Sequence, residues 1–87
     1  MIAEKPIARI LPVGEAAISV EFGSRIAPEI NAMVYALEGA IAALHMDGVG
    51  ETLPSYRSLL VHFDPFLCDP HCLTGQVESM LARLEVL

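Results

Sequence analysis

Basic residues are scarce in this sequence. Five of its 87 residues are Lys or Arg, against eleven Asp or Glu, which gives a formal net charge of −6. The five cationic residues are spread singly along the chain, so they form no basic cluster. Proteins that bind a phosphate backbone need such a basic footprint. The sequence therefore indicates that the chain has no nucleic-acid partner.

Cysteines and long apolar runs are also scarce. The two cysteines, Cys68 and Cys72, are too few for a disulfide framework and are typical of a reducing compartment. Residues 1–6 carry charges of both signs and lack the apolar region of a signal peptide. The longest nearly uncharged stretch, Ile30 to Met46, is short for a membrane span. We therefore expect a cytoplasmic protein without a membrane segment.

No catalytic or cofactor-binding motif is recognisable in the sequence. It has no G-x-S-x-G nucleophile elbow and no glycine-rich loop of the kind that binds phosphate between a strand and a helix. Cys68, His71 and Cys72 fall within one turn and could be read as metal ligands. Their spacing is not the C-x2-C spacing of zinc sites, and no second ligand pair occurs elsewhere. We interpret them as residues that open a helix, and we predict no catalytic, cofactor-binding or metal-binding residue in this chain.

Apolar residues, by contrast, are abundant. They make up 54% of the chain, whereas 18% of the residues are charged. A domain of this size buries roughly 60 to 65% of the surface that its unfolded chain exposes. Part of the apolar surface should therefore face another domain or another protein. We expect a partner and, in its absence, a homodimer or a weak oligomer.

The first half of the chain shows two strand patterns and one helix pattern. Residues 1–8 look like a flexible tail. A short apolar strand at Arg9–Val13 is followed by Ala16–Phe22, which alternates with a period of two. The next segment has apolar residues at three- and four-residue spacing up to Leu44, and Pro28 suits its first turn. We predict a strand, a second strand and a helix.

The second half repeats this order of elements. Strands are predicted at Val49–Pro54 and Ser58–Phe63, and Asp69 with Pro70 is typical of a helix N-terminus. Residues 9–87 are thus predicted to form one α+β domain, a two-layer ββαββα sandwich with a four-stranded antiparallel sheet and both helices on one face. The opposite face of the sheet should carry a mixed set of residues that a partner could cover: Ala17, Ser19, Glu21, Leu60 and His62.

Tyr56, Arg57 and Ser58 lie between the last two predicted strands and are the candidate functional residues. One interpretation is structural: a hairpin turn in which Tyr56 covers the sheet edge and Arg57 pairs with a nearby carboxylate. The other is functional: Arg57 points outward and binds a carboxylate of a ligand or partner through two hydrogen bonds. Tyr and Arg are frequent anchors of protein interfaces. The sequence leaves both interpretations open.

Two stretches resemble the signature sequences of a known family. They are "RILPVGEAAISVEFG", residues 9–23, and "LPSYRSLLVHFDP", residues 53–65. Both resemble the KipI/PxpB family, which includes the PxpB component of 5-oxoprolinase, allophanate hydrolase subunit 1 and sensor-kinase inhibitors. The resemblance covers residues 9–87 and implies an N-terminal α+β domain. In this family that domain is joined to a cyclophilin-like β domain, which we expect to be absent from this chain.

The resemblance also implies a role in a complex. In the 5-oxoprolinase case, PxpB works with PxpA and PxpC, and the complex opens 5-oxoproline to glutamate at the expense of ATP. The resemblance offers no catalytic residue within this domain, so we expect the chain alone to be inactive. We interpret it as a non-catalytic domain of a PxpB-like 5-oxoprolinase component that acts in assembly with PxpA- and PxpC-like proteins. The alternatives are a KipI-type inhibitor domain of a sensor histidine kinase and an interaction module like allophanate hydrolase subunit 1.

Overall fold

Four strands and two helices follow one another in the order that the sequence predicts. The computed structural model describes residues 8–23 and 28–86, with side chains through Leu84. The predicted N-terminal tail lies outside the described residues, except for Ala8, which belongs to the first strand. The elements are β1 (Ala8–Val13), β2 (Ala17–Phe22), α1 (Pro28–Leu44), β3 (Val49–Pro54), β4 (Ser58–Phe63) and α2 (Pro70–Val86).

The four strands form one sheet in the order β1-β2-β4-β3, and all neighbouring strands are antiparallel. The two hairpins are joined through β2 and β4, with Ser19 opposite Leu60. In β3, the register shifts by one residue between Val49 and Thr52, which places a bulge in this edge strand. The predicted α+β fold with a four-stranded antiparallel sheet is confirmed.

The core lies between one face of the sheet and the two helices. Alternate residues of the central strands point into it, as the period of two predicts. No polar or charged side chain is buried anywhere in the described ranges. The sheet contributes Ile18, Val20, Phe22, Leu59, Val61 and Phe63, and the helices contribute Ile30, Val34, Leu37, Ile41, Leu73, Val77, Met80 and Leu81.

Helix α2 begins where the sequence predicts it. The His71 N–H donates a hydrogen bond to Asp69 Oδ1 at 3.0 Å, so Asp69 is the N-cap and Pro70 the first helical residue. On either side of this cap, Cys68 and Leu73 are both buried in the core. Apolar residues at these two positions fix the angle at which the chain enters a helix.

Gly48 brings the start of β3 close to the loop between β4 and α2. Its φ is +84°, and its carbonyl oxygen accepts a hydrogen bond of 2.7 Å from the Asp64 N–H. A Cβ atom at Gly48 would lie 2.8 Å from Leu67 Cβ and 2.9 Å from Cys68 Cβ. Only glycine fits both this backbone conformation and this close approach.

Candidate functional site

The turn between β3 and β4 is held by its two serines and by α1. The Ser55 N–H donates to the Ser58 carbonyl oxygen at 2.8 Å, and the two Oγ atoms lie 2.6 Å apart. Asn31 of α1 donates from Nδ2 to the Ser55 carbonyl oxygen at 3.2 Å. Ser58 is half-buried as the first residue of β4. These contacts fix the backbone on both sides of Tyr56 and Arg57.

Arg57 joins this turn to the end of β2. The Phe22 N–H donates to the Arg57 carbonyl oxygen at 2.7 Å, and Arg57 Nη1 donates to the Gly23 carbonyl oxygen at 3.2 Å. The guanidinium is exposed and makes no ion pair with a carboxylate among residues 8–23 and 28–84. One hydrogen bond to a carbonyl uses only part of a group that has five N–H donors.

Tyr56 stands beside Arg57 with most of its ring in solvent. Its relative exposure is 70%. Exposed Tyr and Arg side chains on a fixed turn are suited to a protein interface, because little side-chain freedom is lost when a rigid aromatic ring is covered. Tyr56, Arg57 and Ser58 thus lie together at one end of the sheet. Their contact with a partner stays a prediction.

The face of the sheet that the helices leave uncovered carries a row of three leucines and one serine. Leu11 of β1, Ser19 of β2, Leu60 of β4 and Leu53 of β3 lie opposite one another in register across all four strands. Leu11 is 36% exposed and Leu53 is 45% exposed. The next row on the same side of the sheet consists of Val13, Ala17 and His62. We call these two rows together the open face.

A single ion pair borders the open face in the part of the chain that the structure describes. Arg9 Nη2 lies 3.3 Å from Glu21 Oε1, and the two residues are directly opposed on β1 and β2. The predicted outward residues of β2 and β4 do lie on the uncovered side of the sheet, because they alternate with residues that are buried in the core. Ala17 lies on this side of the sheet but is only 6% exposed. With three leucines, a valine and an alanine among its seven residues, the open face is more apolar than a solvent-facing side of a sheet usually is.

The cysteines occupy two different environments. Cys68 is buried in the core and Cys72 is exposed on α2. Burial raises the pKa of the Cys68 thiol above its ordinary value of 9.0, and the nearby Cys72 and Asp69 raise it further. Within residues 8–23 and 28–84, no three His, Cys, Asp or Glu side chains are grouped as metal ligands.

Two shallow cavities contain little that could carry out catalysis. One, of about 190 Å³, lies between the end of α1 and β3, and His45 is the titratable group in its lining. The other, of about 280 Å³, lies between the helices, and its lining includes Arg83 as the ionisable group. Neither cavity brings a nucleophile and a base together, which acyl or phosphoryl transfer would require.

Neither described helix is long and apolar enough to cross a bilayer.

The sequence prediction missed one exposed apolar feature. Phe66 and Leu67, in the loop between β4 and α2, are 97% and 68% exposed. A signal was available, because this apolar pair stands between two Asp-Pro dipeptides, Asp64-Pro65 and Asp69-Pro70. Both dipeptides are typical of turns and helix starts, which favours a short surface loop between them.

Comparison with solved structures finds this fold in larger proteins. The crystal structure of the conserved uncharacterized protein PH0987 from Pyrococcus horikoshii is 33% identical, with a TM-score of 0.80 over 86% of this chain and 35% of that protein. This chain thus spans about a third of the Pyrococcus protein. The urea carboxylase of Kluyveromyces lactis is 20% identical, with a TM-score of 0.85 over 90% of this chain and 7% of that one.

A further solved structure has nearly the same extent as this chain. The N-terminal domain of the histidine kinase inhibitor KipI from Bacillus subtilis is 24% identical, with a TM-score of 0.78, and 93% of this chain covers 90% of it. At these identities, the likenesses to urea carboxylase and to KipI show the fold alone. Comparison with curated protein sequences gives no match.

The family is shown by a sequence model that spans almost the whole domain. The model described as "Carboxyltransferase domain, subdomain C and D" matches residues 8–86, from the first residue of β1 to the last residue of α2. This agrees with the resemblance to KipI-like proteins in the two quoted stretches and with the shared fold. The chain therefore belongs to the family of carboxyltransferase domains, subdomain C and D.

Proposed function

We propose that this chain is a non-catalytic domain of a PxpB-like 5-oxoprolinase component and that it acts in the assembly of a complex with PxpA- and PxpC-like proteins. The observation that carries the proposal is the open face. In a two-layer sandwich that stands alone, the face of the sheet away from the helices is usually polar. Here a row that contains Leu11, Leu60 and Leu53 crosses all four strands.

The arrangement of ionisable groups supports assembly over catalysis. Catalytic acids, bases and nucleophiles lie in clefts where burial and neighbouring charges adjust their pKa values. Among residues 8–23 and 28–84 no charged side chain is buried, and each of the two cavities described above offers one ionisable group. A binding role requires only an exposed surface that a partner can cover. The open face and the exposed side chains of Tyr56 and Arg57 are two such surfaces.

A second candidate is an inhibitor domain of a sensor histidine kinase. The observation in its favour is the extent of the likeness to the KipI N-terminal domain, 90% of which this chain covers. That function would use the same apolar surface on a kinase. A module like allophanate hydrolase subunit 1 is a third interpretation, which the quoted sequence stretches favour equally.

Binding to purified partner proteins tests the proposal. The chain is titrated into the purified PxpA-like and PxpC-like proteins of a 5-oxoprolinase, and heat of binding is recorded by calorimetry. We expect binding to at least one of them, and we expect Leu60→Lys on the open face to abolish it. Ala36→Lys, at an exposed position of α1, serves as the matched control and should bind normally.

Two results would contradict the proposal. If neither protein is bound while the chain lowers the autophosphorylation rate of a sensor histidine kinase, the inhibitor function replaces assembly. If the pure chain turns over ATP or 5-oxoproline, and a point mutation within the chain abolishes the turnover, the domain is catalytic.

A further inference from the structure

The loop between β4 and α2 projects an apolar side chain almost completely into solvent. Phe66 is 97% exposed and the adjacent Leu67 is 68% exposed. No other large apolar side chain among the described residues is as exposed as Phe66. The loop leaves the end of β4, whereas Arg57 precedes its beginning, so the two features are separated by about 17 Å of strand. Phe66 and Leu67 therefore form a surface distinct from the Tyr56–Arg57 turn.

The backbone that carries Phe66 is held by Asp64. The Phe66 N–H donates to Asp64 Oδ1 at 2.9 Å. The N–H groups of Leu67 and Cys68 donate to the Asp64 carbonyl oxygen at 3.0 and 2.8 Å. Pro65, between Asp64 and Phe66, fixes a further backbone dihedral. Consecutive N–H groups from Phe66 to Cys68 are thus hydrogen-bonded within the loop.

The base of the loop is attached to the body of the domain. The Asp64 N–H donates to the Gly48 carbonyl oxygen at 2.7 Å, and Cys68 is buried in the core. Leu67 Cβ and Cys68 Cβ approach Gly48 so closely that the site has no room for a side chain. An exposed ring on such a fixed backbone loses little conformational freedom when a partner covers it. This is the property of an interface anchor.

Three acidic residues lie beside this apolar pair in the loop or at its base. Asp64 and Asp69 flank it in the loop, and Asp47 precedes Gly48 at its base; all three are exposed. None of the three takes part in an ion pair among residues 8–23 and 28–84. Along the chain, the nearest basic residues are Arg57 and Arg83. A surface that approaches Phe66 must therefore accept negative charge at its border.

We propose that Phe66 and Leu67 form an anchor that inserts into an apolar pocket bordered by Lys or Arg side chains on a protein partner. The inference rests on the proposed function, because it names the part of the domain that a partner protein would hold. A second copy of this chain would bring together two molecules with a net charge of −6 and two sets of loop carboxylates. An anionic membrane would repel the same carboxylates. An apolar pocket bordered by Lys or Arg side chains would cover the Phe66 ring and would also attract the carboxylates beside it.

Calorimetry with the purified PxpA-like and PxpC-like proteins tests the anchor. We expect Phe66→Ser to weaken binding by about 10- to 100-fold, the loss typical of an interface hot spot. Tyr35→Ser is the matched control, because Tyr35 is another exposed aromatic residue, 56% exposed on α1, and it should bind like wild type. Since the Phe66 ring contacts solvent, the thermal midpoint of the Phe66→Ser variant should equal that of wild type.

The proposed Lys or Arg border of the partner's pocket is tested separately. Asp47→Lys should weaken binding several-fold and reduce its dependence on salt concentration, because one attractive charge pair is replaced by a repulsive one. Equal affinity of Asp47→Lys and wild type would overturn the basic border of the pocket.

The possible failures have different meanings. If wild type binds neither protein, the proposed function fails and the anchor fails with it. If wild type binds and Phe66→Ser binds equally tightly, the anchor is wrong while the proposed function stands. Self-association in sedimentation that Phe66→Ser removes would assign the anchor to a second copy. Co-flotation with phosphatidylcholine vesicles that Phe66→Ser removes would assign it to a membrane. Either result overturns the proposed partner.

Discussion

Arg57 and Gly23, 34 positions apart in the chain, are joined by a hydrogen bond of 3.2 Å from Nη1 to the carbonyl oxygen. This bond closes the end of the sheet between β2 and β4. It lies at the surface, so water can replace either partner, and the net contribution of such a bond to stability is small. The bond therefore orients the Arg57 guanidinium but contributes little to the free energy of unfolding.

The first prediction concerns Arg57→Ala. We expect the free energy of unfolding to change by no more than about 0.5 kcal/mol, as at ordinary surface sites. The same change should weaken binding to the PxpA-like or PxpC-like protein by about 1 to 3 kcal/mol, as expected of an interface anchor. Urea denaturation and calorimetry measure the two effects. A strongly destabilised domain that still assembles normally would show that Arg57 has only a structural role.

The second prediction concerns Gly48→Ala. A Cβ atom there would meet Leu67 Cβ and Cys68 Cβ at 2.8 and 2.9 Å, and the φ of +84° disfavours any L side chain. Because these neighbours are attached directly to the backbone, we expect a loss of about 2 to 4 kcal/mol of stability. Gly39→Ala is the control, since Gly39 lies within α1 with open space around it. That change should stabilise the domain by about 0.5 to 1 kcal/mol. Equal destabilisation by both substitutions would contradict the close approach.

The third prediction concerns His45, which follows the last residue of α1 with a φ of 48°. This left-handed conformation ends many helices and is usually adopted by glycine. His45→Gly should therefore raise the free energy of unfolding by about 0.5 to 1 kcal/mol, because it removes the strain of a Cβ atom. His45→Ala keeps that strain and should give no gain. Chemical denaturation of both variants checks the difference.

The fourth prediction follows from the raised pKa of Cys68. The folded state holds the thiol protonated, while the unfolded chain releases the proton near the ordinary value of 9.0. The contribution of Cys68 to stability should therefore be constant below that pH and should fall as the pH rises above about 9, because the unfolded state then binds fewer protons. Denaturation between pH 8 and 10 in wild type and Cys68→Ala measures the effect, since the variant lacks this contribution to the slope. Cys72→Ser should retain most of the wild-type slope, because burial is the largest cause of the raised pKa of Cys68 and Cys72 contributes less.

The fifth prediction concerns metal binding. If Cys68, His71 and Cys72 only open α2, a chelator should leave the thermal midpoint unchanged, because no folding energy comes from a bound ion. Purified protein is analysed for zinc and melted with and without chelator. Stoichiometric zinc, or a midpoint lowered by several degrees, would restore the interpretation of these residues as ligands.

Local patterns predicted the bounds of the four strands to within one residue. The bounds of β3 and β4 agree with the predicted ones, and Pro28 and Pro70 begin the two helices as expected. The strand bounds differ from the predicted ones where contacts between distant residues determine the end of a strand. Ala8 joins β1 because it pairs with Phe22, and Ala16 lies outside β2, although its carbonyl oxygen accepts a hydrogen bond of 2.9 Å from the Phe63 N–H.

The sequence predicted less of the candidate site than of the fold. The pattern placed Tyr56 and Arg57 at a turn, but the contact of Arg57 with Gly23 depends on how β2 and β4 are brought together. The order of the strands also depends on this distant pairing, which has no local signal. The exposure of Phe66 is set by the hydrogen bonds of Asp64 and by the approach to Gly48, neither of which is visible in hydrophobic periodicity.

The order β1-β2-β4-β3 determines how the chain must fold. Each half supplies one edge strand and one central strand, and the central pair is the most distant in sequence, with Ile18 opposite Val61. A single hairpin is marginal in water, so neither half is complete without the other. We expect hairpins to form within microseconds and the closure across about 40 residues to limit the rate. Peptides cut between α1 and β3 should therefore be unfolded separately and regain structure only when mixed.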